Sequence, residues 1–185
     1  MKRTIVAFAA LSVSACGYNR IQSLDEQVSA YGSQIEVQLQ RRADLIPNLV
    51  ETVKGVAQQE TTVIGQVTQA RARLGGAIQS GDLGQMADAN AGLSSALSRL
   101  LVVVENYPDL RSSESFRGLQ DQLEGTENRI ATARQDYNNA VREHNAFIRR
   151  FPQALTAKVI GAKERPYFEV TDQAAREAPK VDFKN

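Results

Sequence analysis

The sequence predicts an all-α fold, an antiparallel four-helix bundle closed by an irregular C-terminal strap. Three observations carry this. Apolar residues recur at alternating steps of three and four over most of the chain. Alanine, leucine, valine, glutamine and glutamate fill its long middle, and of the five prolines only Pro47 falls where a helix interior reads. A length of 185 residues gives room for one domain with a sizeable core. Helices that are apolar on one side only are unstable alone, so four of them are expected to satisfy one another within the chain. Dimerisation through coiled-coil seams is the other arrangement that the pattern permits.

The first fifteen residues stand apart from that fold. Met1-Lys2-Arg3 is a short basic start, and residues 5–15 are an apolar run of eleven. Such a run suits a signal-peptide core and falls well short of the roughly 20 residues of a membrane-spanning helix. It closes on Val13-Ser14-Ala15-Cys16, which resembles the lipobox of bacterial lipoproteins, small residues before a cysteine whose nucleophilic thiol is alkylated with diacylglycerol. Cys16 is the only cysteine, so no disulfide can close within the chain. An ordinary secretory signal with a chance cysteine is the plainer reading. On the lipobox reading, two or three acyl chains hold the mature protein on a bilayer, since one chain alone gives marginal attachment. Gly17 rather than an aspartate after the cysteine favours the periplasmic side of an outer membrane where the organism has one. The expected divisions are signal peptide 1–15, anchor and short linker 16–20, bundle 21–150 and strap 151–185.

Ile21, Leu24, Val28, Tyr31 and Ile35 form the first helical stripe, interrupted by Gly32. The segment Arg41-Arg42-Ala43-Asp44-Leu45-Ile46-Pro47-Asn48 follows. Proline suits a first helical turn, which predicts a break near Ile46 with Asp44 able to cap; a kinked continuous helix is the alternative. Leu49, Val53, Val56, Glu60, Val63, Val67, Ala70 and Leu74 keep an unbroken 4-3-4-3 spacing, which predicts a second helix with Glu60 on its seam. Gly75-Gly76 and Ser80-Gly81-Asp82 mark the next break, with Asp82 as N-cap of a helix beginning at Leu83. Its stripe is Leu83, Met86, Asn90, Leu93, Leu97, Leu100 and Val104, and Pro108 stops it. The last long helix starts after Ser112 or Ser113. It runs through Phe116, Leu119, Leu123, Ile130, Tyr137, Val141 and Ile148 until Pro152. Beyond it the pattern allows a short helix, Gln153–Ile160, and then a strap anchored by Tyr167, Phe168, Val170, Val181 and Phe183.

The charge balance, 22 Lys plus Arg against 21 Asp plus Glu, disfavours a nucleic-acid partner. Zinc needs three or four ligands, and one histidine with one lipidated cysteine cannot supply them, so no metal or other cofactor is expected. His144 lies on or beside the buried stripe and reads as an interior histidine. No phosphate-binding glycine loop and no GxSxG nucleophile elbow is present. Glu124 and Glu127 share a helix face, yet glycoside hydrolysis needs two carboxyls across a cleft, so no catalytic residue is assigned. Glu60, Asn90 and Glu127, with Asn138 and Asn145 close by, occupy seam positions and form a candidate buried polar network. Such groups must be hydrogen-bonded, to Arg71, Arg129, Arg134 or one another, and their expected role is pairing specificity.

Several long blocks resemble the LemA family. They are Gln38-Leu39-Gln40-Arg41-Arg42-Ala43-Asp44-Leu45-Ile46-Pro47-Asn48-Leu49-Val50 with Val53-Lys54-Gly55 and Glu60, then Glu105-Asn106-Tyr107-Pro108-Asp109-Leu110. Leu123-Glu124-Gly125-Thr126-Glu127-Asn128-Arg129-Ile130 continues through Tyr137-Asn138, Asn145 and Phe151-Pro152. Pro166-Tyr167-Phe168 and Pro179-Lys180-Val181-Asp182-Phe183 complete the set. The resemblance implies a helical bundle on a membrane-attached, envelope-facing domain, with no recognised catalytic residues. Members are sometimes encoded near envelope proteases, and one magnetosome protein belongs to the group. The chain departs from the family at Val56 and Gln59, where an aromatic residue and a histidine are common, and at His144 and Ala162, where aromatics are usual. A Cys16 lipobox stands where many members have a membrane-spanning anchor.

The expectation is a non-enzymatic, lipid-anchored envelope protein that binds an unidentified envelope protein or acts as a scaffold. An accessory factor of an envelope protease, or an enzyme of unknown type, is the alternative. If helices alternate in direction, the two junctions 41–48 and 105–113 meet at the end of the bundle far from the membrane. Arg41, Arg42, Asp44, Asn48, Glu105, Asn106, Tyr107 and Asp109 would form the interaction surface there. The plainer reading has these residues cap helices and stitch turns.

Overall fold

A computed structural model describes residues 2–57 and 59–169, with side chains from residue 17 onward. It is all-α: α1 (Lys2–Lys54), α2 (Thr61–Ser80), α3 (Leu83–Val104), α4 (Pro108–Ser112), α5 (Glu114–Ile148) and α6 (Gln153–Ile160), with no strand among the described residues. Two compact units are present. One comprises Met1–Ile35 and Ala131–Tyr167, the other Glu36–Ile130 and Phe168–Asn185, and α1 and α5 contribute residues to both.

In the first unit, Ile21, Leu24, Val28 and Ile35 of α1 are buried, as are Ala133, Tyr137, Ala140, Val141 and Ile148 of α5. Ile21, Ile148 and Ala157 form one apolar cluster, with Phe147, Ile160 and Ala162 packed against it, so α6 folds back on both long helices. Gly161 ends α6 in the left-handed conformation, φ 73°, and Ala162 N–H closes the turn on Ala157 O at 2.9 Å. The irregular stretch that follows is fastened by polar groups. Asn145 donates to Arg165 O (2.9 Å) and accepts from Arg165 N–H (2.8 Å), while the Tyr137 hydroxyl donates to Pro166 O at 2.9 Å. Of the expected apolar anchors, Tyr167 is exposed and Phe168 is buried, the latter in the second unit. Val170, Val181 and Phe183 lie outside the described residues.

The second unit packs α2 against α3 and adds α4 with stretches of α1 and α5. Asp82 caps α3 as expected, its carboxylate accepting from Gly84 N–H (2.8 Å) and Gln85 N–H (3.0 Å). The carboxyl is thereby held below its ordinary pKa, first by the Gln85 amide. Ser113 caps α5 by accepting from Phe116 N–H at 3.3 Å. Two boundaries differ from the sequence expectation. The chain does not turn at Ile46: α1 continues through Pro47 to Lys54. The proline has no amide to offer the carbonyl of Ala43 four residues earlier, and Arg71 Nε supplies that hydrogen bond instead, at 2.9 Å from α2. The break comes at Gly55, after which Ala57 N–H bonds Val53 O at 2.8 Å and Glu60 N–H bonds Ala57 O at 3.1 Å. The unbroken 4-3-4-3 seam is therefore split between two helices, and Val56, placed on it by spacing, is exposed.

Gly75-Gly76 does not end α2. Burial of the flanking Leu74 and Ala77 offsets the poor helix propensity, and the helix stops at Gly81, φ 69°, where the left-handed turn requires glycine. Pro108 does more than stop α3, since it occupies the first turn of α4, where a missing amide proton is harmless.

Candidate functional site

Among the described residues, two clusters of three or more interacting polar side chains concern the candidate site, one in each unit. In the second unit Arg42, on α1, is 5% exposed. Its Nη1 donates to Asn90 Oδ1 of α3 at 2.6 Å and lies 2.6 Å from Glu127 Oε2 of α5, whereas Nε has no hydrogen-bond partner among the described residues. Burial pushes the Arg42 pKa below its ordinary value, with the Glu127 carboxylate pulling the other way. The guanidinium stays charged, so the cluster is an ion pair with one side open to water, Glu127 being 44% exposed. A cavity of about 460 Å³ lies beside it, walled by Leu49, Leu97, Phe116 and Leu123.

Asn90 and Glu127, assigned from spacing to the polar network, thus share Arg42, a residue assigned to the interaction surface. Arg42 is buried, and its partners are mid-helix groups on α3 and α5. Glu60 and Asn145 are bonded elsewhere: Glu60 accepts from the Tyr107 hydroxyl at 3.2 Å, and Asn145 serves the Arg165 backbone in the first unit. Asn138 is half-buried on α5. Arg71 serves the Ala43 carbonyl rather than a seam carboxylate.

The remaining surface candidates divide into two groups. Arg41, Asp44 and Asn48 are exposed along α1, with Asp44 accepting from Gln40 Nε2 at 2.7 Å. Glu105, Asn106 and Asp109 are exposed around the α3–α4 junction, while Tyr107 is half-buried against Glu60. Because α1 runs on through Pro47, the junction that meets Tyr107 is 55–60, some twelve residues or about 18 Å of helix beyond Arg42. The Tyr107 hydroxyl is held above its ordinary pKa, by desolvation first and then by Glu60.

The second cluster is in the first unit and was not legible from spacing. Arg165 grips Asp25 with two bonds, Nε to Oδ1 at 2.8 Å and Nη2 to Oδ2 at 2.9 Å. His144, 1% exposed, lies with Nε2 3.7 Å from the same carboxylate and Nδ1 3.2 Å from Asn145 Oδ1. The Arg165 hydrogen bonds hold Asp25 below its ordinary pKa despite partial burial. A depressed carboxylate pKa contributes stability that is present above the unfolded value of about 4 and lost as pH falls through the folded one. Wild type is therefore expected to melt higher than Asp25→Asn at neutral pH, with the gap closing below about pH 4. Melting curves of both proteins across that range check this, and a gap independent of pH would refute it.

Neither cluster contains a serine, threonine or cysteine side chain beside its charged groups. Among the described residues, no group of three or more His, Cys, Asp or Glu side chains is placed to hold a metal ion. Among the same residues no helix is long and apolar enough to cross a membrane.

The chain is similar to two magnetosome proteins of Paramagnetospirillum magneticum, MamQ 1 and MamQ 2. Each is 32% identical over 189 residues, a span covering 90% of this chain and 69% of the relative. Magnetosome protein MamQ of Magnetospirillum gryphiswaldense is 27% identical over 188 residues, 89% of this chain and 68% of the relative. The family model described as LemA family matches residues 31–183, the span that holds both polar clusters except for Asp25, and by that match the chain belongs to the LemA family.

Proposed function

We propose that this protein is a non-enzymatic, membrane-associated envelope protein, held by acyl chains on Cys16 and acting as a protein-binding or scaffold module. Membership of the LemA family and likeness to magnetosome proteins support a membrane-associated role rather than a place in an enzyme family. The observation that carries the anchor is Val13-Ser14-Ala15-Cys16, with the only cysteine of the chain at the position where lipobox chemistry uses one. Where the organism has an outer membrane, Gly17 supports its periplasmic face as the address. For the binding surface, the exposed groups Arg41, Asp44 and Asn48 on α1 and Glu105, Asn106 and Asp109 at the α3–α4 junction are available, whereas buried Arg42 acts through the fold.

The test is one preparation with two readouts. Mass spectrometry of the mature N-terminus should find Cys16 carrying acyl chains, and Cys16→Ala should release the protein from the membrane fraction or leave it unprocessed. Captured envelope proteins should be lost on replacing Arg41, Asp44, Asn106 or Asp109 singly with alanine while melting is unchanged. An unmodified N-terminus would sink the anchor, and capture that survives all four changes would sink the surface.

A further inference from the structure

Helix α6 is apolar on two sides, and among the described residues only one of them is covered. Its inner side places Ala157 in the core with Ile21 and Ile148 and packs Ile160 against them. Its outer side presents Leu155 and Val159, one helical turn apart, at 61% and 86% exposure, and Phe151 just before the helix is 83% exposed. No other stretch among the described residues exposes three large apolar side chains within nine positions. An amphipathic helix has one such side, and a second that is open to water calls for an occupant.

Two observations say which. The first is position. A Cβ at Gly17 would lie 3.5 Å from Thr156 Oγ1 and 3.7 Å from Gln153 Cγ, so α6 rests on α1 at the residue next to Cys16. Consecutive Cα atoms are about 3.8 Å apart, so acyl chains on Cys16 would start beside this helix. The second is charge. Residues 144–163 carry Arg149, Arg150, Lys158 and Lys163 and neither Asp nor Glu; the first carboxylate after them, Glu164, is 3.6 Å from Arg149. Apolar side chains rimmed by cations, next to a lipid attachment point, match the interface of an anionic bilayer, where apolar groups enter the acyl boundary and basic groups meet the headgroups.

We propose that α6 is a second membrane contact, lying in the surface of the anionic bilayer with Phe151, Leu155 and Val159 inserted and Arg149, Arg150, Lys158 and Lys163 on the headgroups. The proposal rests on the lipid-anchored reading, because adjacency to Cys16 selects a bilayer over a protein. Two or three acyl chains on Cys16 suffice for attachment, so α6 adds a contact that is present in the fold itself and turns the anchored domain toward the surface. At about 1.5 Å per residue the helix covers only about 12 Å, so it adds to an anchor and does not replace one.

The chain contains no tryptophan, which makes a single indole a clean reporter. Leu155→Trp and, as a reference at another exposed apolar position, Val102→Trp are made in the full chain, isolated from the envelope and reconstituted into vesicles of phosphatidylcholine and phosphatidylglycerol. Acylation of Cys16 is checked by mass spectrometry on the same samples. The indole at position 155 is expected to shift its emission to the blue and to be quenched several-fold more than the reference by bromine-labelled acyl chains. Adding Phe151→Asp and Val159→Asp should return it to the reference level, and changing the four cations to glutamine should weaken the contact by about fivefold per charge. Quenching equal to the reference in acylated protein overturns the proposal while leaving the anchor standing. Quenching in protein with an unmodified N-terminus sinks the anchor alone. Blue emission already present in detergent-free solution before vesicles are added shows that residues 170–185 or a second copy covers the face, and overturns the proposal as well.

Discussion

Glu127→Ala is expected to destabilise the protein by about 3 kcal/mol, the low end of the range for breaking a buried ion pair, because it leaves the Arg42 guanidinium uncompensated. Arg42 is 5% exposed and among the described residues its Nε already lacks a partner, so removing the carboxylate leaves a buried charge with Asn90 alone of these to bond. The low end applies because Glu127 is 44% exposed and water can enter once it is gone. Arg42→Met, which removes the charged head and keeps an apolar stem, should cost less, about 1 kcal/mol for the Asn90 oxygen left unbonded. The ordering is the test. Chemical denaturation that finds Arg42→Met worse than Glu127→Ala would mean that the guanidinium stabilises chiefly through its bond to Asn90 rather than through its pairing with Glu127. An effect near zero for both would put the cluster in the class of surface pairs.

The next largest effect is expected where α1 passes through Pro47. Arg71→Met removes the donor that replaces the missing proline amide, leaving the Ala43 carbonyl without its bond at a cost of about 1 to 2 kcal/mol. Pro47→Ala restores an amide four residues after Ala43 and should stabilise the helix, since proline is the poorest helix former. In the Pro47→Ala background the carbonyl is served from within the helix, and Arg71→Met should then cost little. The double-mutant cycle is expected to give a coupling of about 1 kcal/mol, and additive effects would show that Arg71 does not compensate for the proline.

Most of the helical content was legible because one physical signal, a one-sided apolar stripe, dominates it. Ile21, Leu24, Val28 and Ile35 are buried as the stripe requires, and so are Met86, Asn90, Leu93, Leu97, Leu100 and Val104. Capping chemistry is equally local, which is why Asp82 before Leu83 and Ser113 before Glu114 stand where the sequence puts them. The short helix Gln153–Ile160 follows from the same reasoning, a proline before it and a glycine after.

The misplaced boundaries share a different cause. Proline at position 47 argues for a break on local grounds, yet the helix continues, and Arg71, 24 residues away in sequence, bonds the Ala43 carbonyl that the proline leaves open. Gly75-Gly76 argues for a break in the same way, and burial of Leu74 and Ala77 overrides it. Periodicity also runs straight across Gly55, because a turn that re-enters helix after a few residues can preserve a heptad-like spacing by coincidence.

The sequence by itself determined the helical class, the apolar faces and the lone Cys16, because propensity, periodicity and composition are properties of neighbours along the chain. Which polar groups meet was decided only in three dimensions. Arg42, placed by its sequence neighbourhood on a surface, is drawn inside by Asn90 and Glu127, and Asp25, unremarkable on its helix, becomes the partner of Arg165. The physical reason is that hydrophobic burial is sensed residue by residue, whereas a buried charge is tolerated only where a particular partner arrives from a distant segment, and that meeting is set by the packed fold.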